Sequence, residues 1–64
     1  MTYKKGDPVK ATEDLEVPGK VIAKGTRGRV AKNADDDVPT VRVKFNGDAS
    51  VKFRVVPKAS ITHA

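Results

Sequence analysis

Apolar and polar residues alternate without interruption in two runs of this chain, Thr40 to Phe45 (TVRVKF) and Ser50 to Val55 (SVKFRV). A period of two is the mark of a half-buried strand, so the runs predict two neighbouring strands with two unlike faces. One face collects Val41, Val43, Phe45, Val51, Phe53 and Val55; the other collects Arg42, Lys44, Lys52 and Arg54. The link contains Asn46-Gly47, a good two-residue hairpin turn, but parity argues against the simple version. With Phe45 and Asp48 flanking the turn, Val51 would oppose Arg42, and half the apolar side chains would fall on the wrong face. An odd loop is therefore expected: three residues with a bulge at Gly47, or five from Asn46 to Ser50.

The remaining pattern is shorter. Pro8 to Thr12 predicts a first strand with Val9 and Ala11 inward and Pro8 at its start or on an edge, and Arg27 to Ala31 predicts a second, glycine-interrupted one. Between them a long meandering loop carries EDLEVPGK, where Pro18-Gly19 signals a turn. After Val55, Pro57 precedes a single 3-10 turn near Lys58 to Ser60 and a last short strand at Ile61. No window repeats apolar residues at helical spacing without a glycine or proline breaking it. The expectation is an all-β, five-stranded small barrel of the SH3-like type, one domain over residues 1–64 with its ordered core at about 6–61.

Composition sharpens this reading. Ten valines stand against one leucine and two isoleucines, and β-branched side chains favour pleated strands. A chain of 64 residues has little room for an enclosed active site, since so small a domain buries only ~60% of its unfolded surface. Cysteine is absent, which removes disulfides and thiolate metal sites and is compatible with a reducing compartment. The opening MTYKKGD lacks the apolar segment of a secretory signal. A soluble, cytoplasmic protein without a membrane segment is expected.

The frame GDPVKA, GTRGRV, PTVRVKF and VKFRV resembles the prokaryotic SH3-like barrels, particularly the variable chain of ferredoxin-thioredoxin reductase. That family's scheme has Gly-x-x-Val in its opening strand (here Gly6 to Val9), Gly-x-x-Gly-x-Val in its second (Gly25 to Val30), a Pro-led third strand and Lys-Phe in its fourth (Lys52-Phe53). Photosystem I subunit IV and the KOW modules of ribosomal and transcription proteins are similar at the same coarse level. The chain departs from the reductase scheme at Val56, where a histidine is usual, and in its short NADDDV before the third strand. The resemblance implies a non-catalytic subunit that packs on and steadies an iron-sulfur subunit.

Catalytic constellations lack parts. KGTRGRV, Lys24 to Val30, has neither the spacing nor the following helix of a phosphate loop; Gly25 is expected to take a positive φ at a turn and Gly28 to permit tight curvature. The single histidine, His63, is expected to be frayed and idle, and Ser50 and Ser60 have no partner base. Asp35-Asp36-Asp37 lacks the spaced ligands of a calcium loop and reads as a solvated loop. No enzyme activity, cofactor, metal or small-molecule substrate is expected.

Charge is the informative remainder. The net charge is +5, and Lys20 to Lys32 holds Lys20, Lys24, Arg27, Arg29 and Lys32 with no acid, whereas the acids gather at Glu13, Asp14, Glu16 and Asp35 to Asp37. Such segregation attracts an anionic partner. Phosphates could be gripped by Arg42, Lys44, Lys52 and Arg54, but base stacking needs exposed aromatics, and with Phe45 and Phe53 assigned to the core only Tyr3 is left. The expected function is a non-enzymatic binding module, an accessory subunit docking on an acidic protein through Arg42, Lys44, Lys52, Arg54, Arg27 and Arg29. The alternative is a KOW-like nucleic-acid or ribosome-binding module; the third is a purely structural domain.

Overall fold

The computed structural model describes residues 3–49 and 51–64; Ser50, at which one of the expected loops ended, lies outside them. The chain is all-β, with strands β1 (Pro8–Ala11), β2 (Leu15–Val17), β3 (Lys20–Ile22), β4 (Arg27–Val30), β5 (Thr40–Phe45), β6 (Arg54–Pro57) and β7 (Ile61–His63), and one 3-10 turn, Lys58–Ser60, between β6 and β7. Five strands form an antiparallel sheet in the order β6-β5-β4-β1-β7, and β2 pairs with β3 in a separate ribbon.

The first, second and third predicted strands and the 3-10 turn lie where the pattern put them. The long first loop differs: it folds back as the β2–β3 hairpin, with Val17 opposite Lys20. Pro18-Gly19 closes it, and Gly19 at φ 85° supplies the positive dihedral that a Pro-Gly type II turn requires. Leu15 and Ile22 then turn inward together and carry the hairpin onto the core.

The larger correction concerns the second half of the predicted hairpin. A turn does start at Asn46-Gly47, where the Asp48 amide donates to the Phe45 carbonyl at 3.2 Å. The chain does not return there, however; β6 begins only at Arg54, and the connection spans 46–53 instead of three or five residues. Val43 stands opposite Arg54, Arg42 opposite Val55 and Val41 opposite Val56. The parity is thus the one that alternation argued against. Val56 fills the core, Val51 is half-buried, and Phe53 and Val55 are 39% and 59% exposed. The segment Val55-Val56 offers an apolar side chain to either face, so β6 shifts its register parity without leaving the core empty.

The core consists of Val9, Ala11, Val30, Val41, Val43, Phe45, Val56 and Ile61 from the sheet, Leu15 and Ile22 from the hairpin, and Tyr3. Tyr3 was expected outside. Instead it is 2% exposed, bridges Ala34, donates its hydroxyl to the Ile61 carbonyl at 3.4 Å and stacks on the His63 ring with centroids 4.5 Å apart. His63 is accordingly not frayed: it pairs with Val9 in the sheet, and its Nε2 lies 3.4 Å from Asp7 Oδ2.

Candidate docking face

Strand alternation sorts the side chains of β1, β4 and β5. Their inward positions are Val9, Ala11, Gly28, Val30, Val41, Val43 and Phe45, and their outward ones are Pro8, Lys10, Arg27, Arg29, Thr40, Arg42 and Lys44. The outward set holds five cations and no carboxylate. The register also brings cations directly together, Lys10 opposite Arg27 across β1 and β4, and Arg29 opposite Lys44 across β4 and β5. Facing side chains in antiparallel strands have Cβ atoms ~4.5–5.5 Å apart, and like charges in such positions oppose folding.

The expected site residues divide at this point. Arg27, Arg29, Arg42 and Lys44 share the outward face, although the Lys44 ammonium is turned onto the 46–53 connection, donating to the carbonyls of Asp48 and Val51. Arg29 donates to the Gly6 carbonyl at 3.0 Å and stays exposed. Lys52 is exposed but sits in the connection, not on a strand. Arg54 does not belong with the others. It shares parity with the buried Val56, and its guanidinium donates to Asp48 from Nε at 2.8 Å and from Nη2 at 3.4 Å. Asp48 is 2% exposed and has Lys20 Nζ at 3.9 Å. A buried carboxylate demands a partner, and Arg54 is consumed as that partner. The four-cation hairpin face expected from alternation therefore does not exist as such.

Lys10 was missed as a member of the face. Its position in the alternating run Pro8 to Thr12 showed that it points outward, but only the pairing of β1 with β4 places it against Arg27.

The exposed aromatic is Phe53, not Tyr3. Arg42 covers its ring, with Cζ 5.3 Å from the centroid. Arg42 also lines a groove of about 260 Å³, together with Val38, Val41, Val55, Lys32 and Asp35. Among the large apolar residues described, the exposed ones are Val21, Val38, Phe53 and Val55, so three of the four gather around Arg42.

Glycine shapes the sheet beneath the face. A Cβ on Gly28 would lie 2.5 Å from the Lys44 carbonyl oxygen and 2.9 Å from the Phe45 Cα, so β4 and β5 approach there more closely than any side chain would permit. Gly25, at φ 87°, takes the left-handed turn expected of it. Asp35 and its neighbours are exposed on the 31–39 loop, with the Asp35 carbonyl held by the Lys58 ammonium. Ser60 is buried, and its hydroxyl donates to Glu13 at 2.7 Å. Among the described residues, no helix is long and apolar enough to cross a membrane.

No protein-family model matches the chain, and no curated protein or solved structure matches it either.

Proposed function

We propose that this chain is a non-catalytic binding module, built as an SH3-like small barrel, that docks an acidic protein surface on the outward face of β1, β4 and β5. The barrel reading rests on the connection between the two edge strands. In a flat sheet β6 and β7 would lie four strand spacings apart, ~19 Å, whereas the 3-10 turn joining Pro57 to Ile61 can reach ~14 Å even if drawn straight. The sheet has to curl until its edges approach.

The observation that carries the docking reading is the strand register, which sets Lys10 opposite Arg27 and Arg29 opposite Lys44 on a face without acids. A face selected for folding alone would place an acid in at least one of those positions. An anionic partner relieves the repulsion on contact, and the attraction is steep within the ~8 Å Debye length of physiological salt. An accessory subunit settling on an acidic partner uses such a face without chemistry of its own. The module's one histidine, meanwhile, is engaged with Tyr3 and Asp7.

One observation favours a second reading. Phe53 is exposed beneath Arg42, and an aromatic beside cations is the element that stacks unpaired bases. A single ring is a small platform, and for that reason a KOW-like nucleic-acid module takes second place.

Calorimetric titration separates the two. Poly-L-glutamate should bind the wild type in low salt, and changing Lys10, Arg27, Arg29 and Arg42 together to glutamine should remove most of that binding while leaving the fold intact. A single-stranded oligonucleotide that binds more tightly than the polypeptide, with a log affinity against log salt slope flattening by about 0.7 per lost phosphate contact, would transfer the function to nucleic acid.

A further inference from the structure

Resting on the acidic-partner reading, we infer that the groove between Val38 and Val55 is its specificity pocket, and that it receives an apolar side chain flanked by carboxylates on an extended segment of the partner.

Three features support this. First, the exposed apolar residues are concentrated, not scattered: Val38 and Val55 form walls of the groove over the buried Val41, and Phe53 adjoins it through Arg42. Isolated exposed apolar residues need no explanation, but a contiguous group on a small domain marks a contact surface. Second, Arg42 is held in place. Its guanidinium rests on the Phe53 ring while it lines the groove, so a carboxylate meets a donor whose side-chain freedom is already restricted. Third, charge complementarity selects the occupant. Lys32 and Arg42 both line the groove with its valines, and Arg42 is continuous with the cationic sheet face. Asp35 lines the same groove, but the two cations outnumber it. A purely apolar ligand would leave the cations without partners, and a purely acidic one would leave the valines wet.

The test is a titration of the isotope-labelled chain followed by amide NMR, using four probes: the capped peptides EELEE, EEAEE and KKLKK, and a ten-residue oligothymidylate. EELEE should shift the amides of Val38, Arg42 and Val55 and bind about tenfold more tightly than EEAEE, the difference expected for burying a leucine-sized side chain. Val55→Ser should reduce EELEE to the affinity of EEAEE, and Arg42→Gln should weaken both peptides. Val55 is largely exposed, so its replacement should leave the spectrum otherwise unchanged; if it does not, Val38→Ser makes the same comparison. Equal binding of EELEE and EEAEE, with shifts confined to Lys10, Arg27 and Arg29, overturns the pocket and leaves the acidic docking face standing. Groove shifts from KKLKK as strong as those from EELEE overturn the charge assignment. Groove shifts from oligothymidylate alone, or from no probe, overturn both the pocket and the reading beneath it.

Discussion

Gly28 shows how much one missing side chain can decide. Its hydrogen occupies a space where a methyl group would meet the backbone of Lys44 and Phe45 at 2.5 and 2.9 Å, and backbone yields less readily than the end of a side chain. Gly28→Ala is expected to cost ~2–3 kcal/mol, toward the upper end of overpacking penalties, which in a domain this small lowers the melting temperature by roughly 10–20 °C. Gly25→Ala supplies the contrast: open space surrounds its missing Cβ, so only the left-handed penalty of ~1 kcal/mol applies. Thermal melts of the two variants decide the matter, and a smaller loss at Gly28 than at Gly25 would refute the close approach of β4 and β5.

At the scale of elements, the 46–53 connection governs the placement of β6. Asp48 turns inward, and its contacts reach two other elements: Arg54 opens β6, while Lys20 opens β3. Arg54 also reaches the Pro18 carbonyl at 3.4 Å, so the ion pair joins the connection, the sheet edge and the β2–β3 hairpin. Removing one member of a buried pair strands the other, at ~3–5 kcal/mol, whereas replacing both by apolar groups of similar size is often close to neutral. Asp48→Leu alone should therefore destabilise strongly, and Asp48→Leu with Arg54→Met should recover much of the loss. Denaturant titrations of the four members of the cycle, run with an osmolyte to keep the weakest folded, measure the coupling. Additive losses would mean that the pair does not set the register of β6.

Over the whole molecule, the two ends of the chain meet in one cluster whose ionisation bounds stability. The Lys4 amide donates to the Asp7 carboxylate at 2.9 Å, and together with the nearby His63 this holds the Asp7 pKa below its ordinary value. A depressed folded value favours the native state above the unfolded pKa of ~4, and that advantage is lost as the pH falls below this value and through the lower folded one. Burial pushes the Tyr3 hydroxyl upward. A raised folded value favours the native state below the unfolded pKa of ~10 and is lost as the pH rises beyond it. Melting temperature against pH should show a plateau with both limbs, Asp7→Asn flattening the acid limb and Tyr3→Phe the alkaline one. An alkaline limb unchanged in Tyr3→Phe would show that the ring is not buried in solution.

Alternation and valine content, with the proline and glycine turn signals, were enough to determine the all-β class, strands β1, β4 and β5, the 3-10 turn, the left-handed turn at Gly25, and the outward direction of Arg27, Arg29, Arg42 and Lys44. These follow from local sterics and a period of two, which any chain of this pattern must satisfy. The tertiary structure decided the register of β6, the inward path of Asp48, the withdrawal of Arg54 into its ion pair and the exchange of Phe53 for Tyr3 between core and surface. It also decided that Lys10 stands against Arg27. The reason is that Val55 and Val56 satisfy either parity equally well. The choice between them rests on contacts distant in sequence, a buried carboxylate that must be paired and a core small enough to be closed by a tyrosine from the other end of the chain.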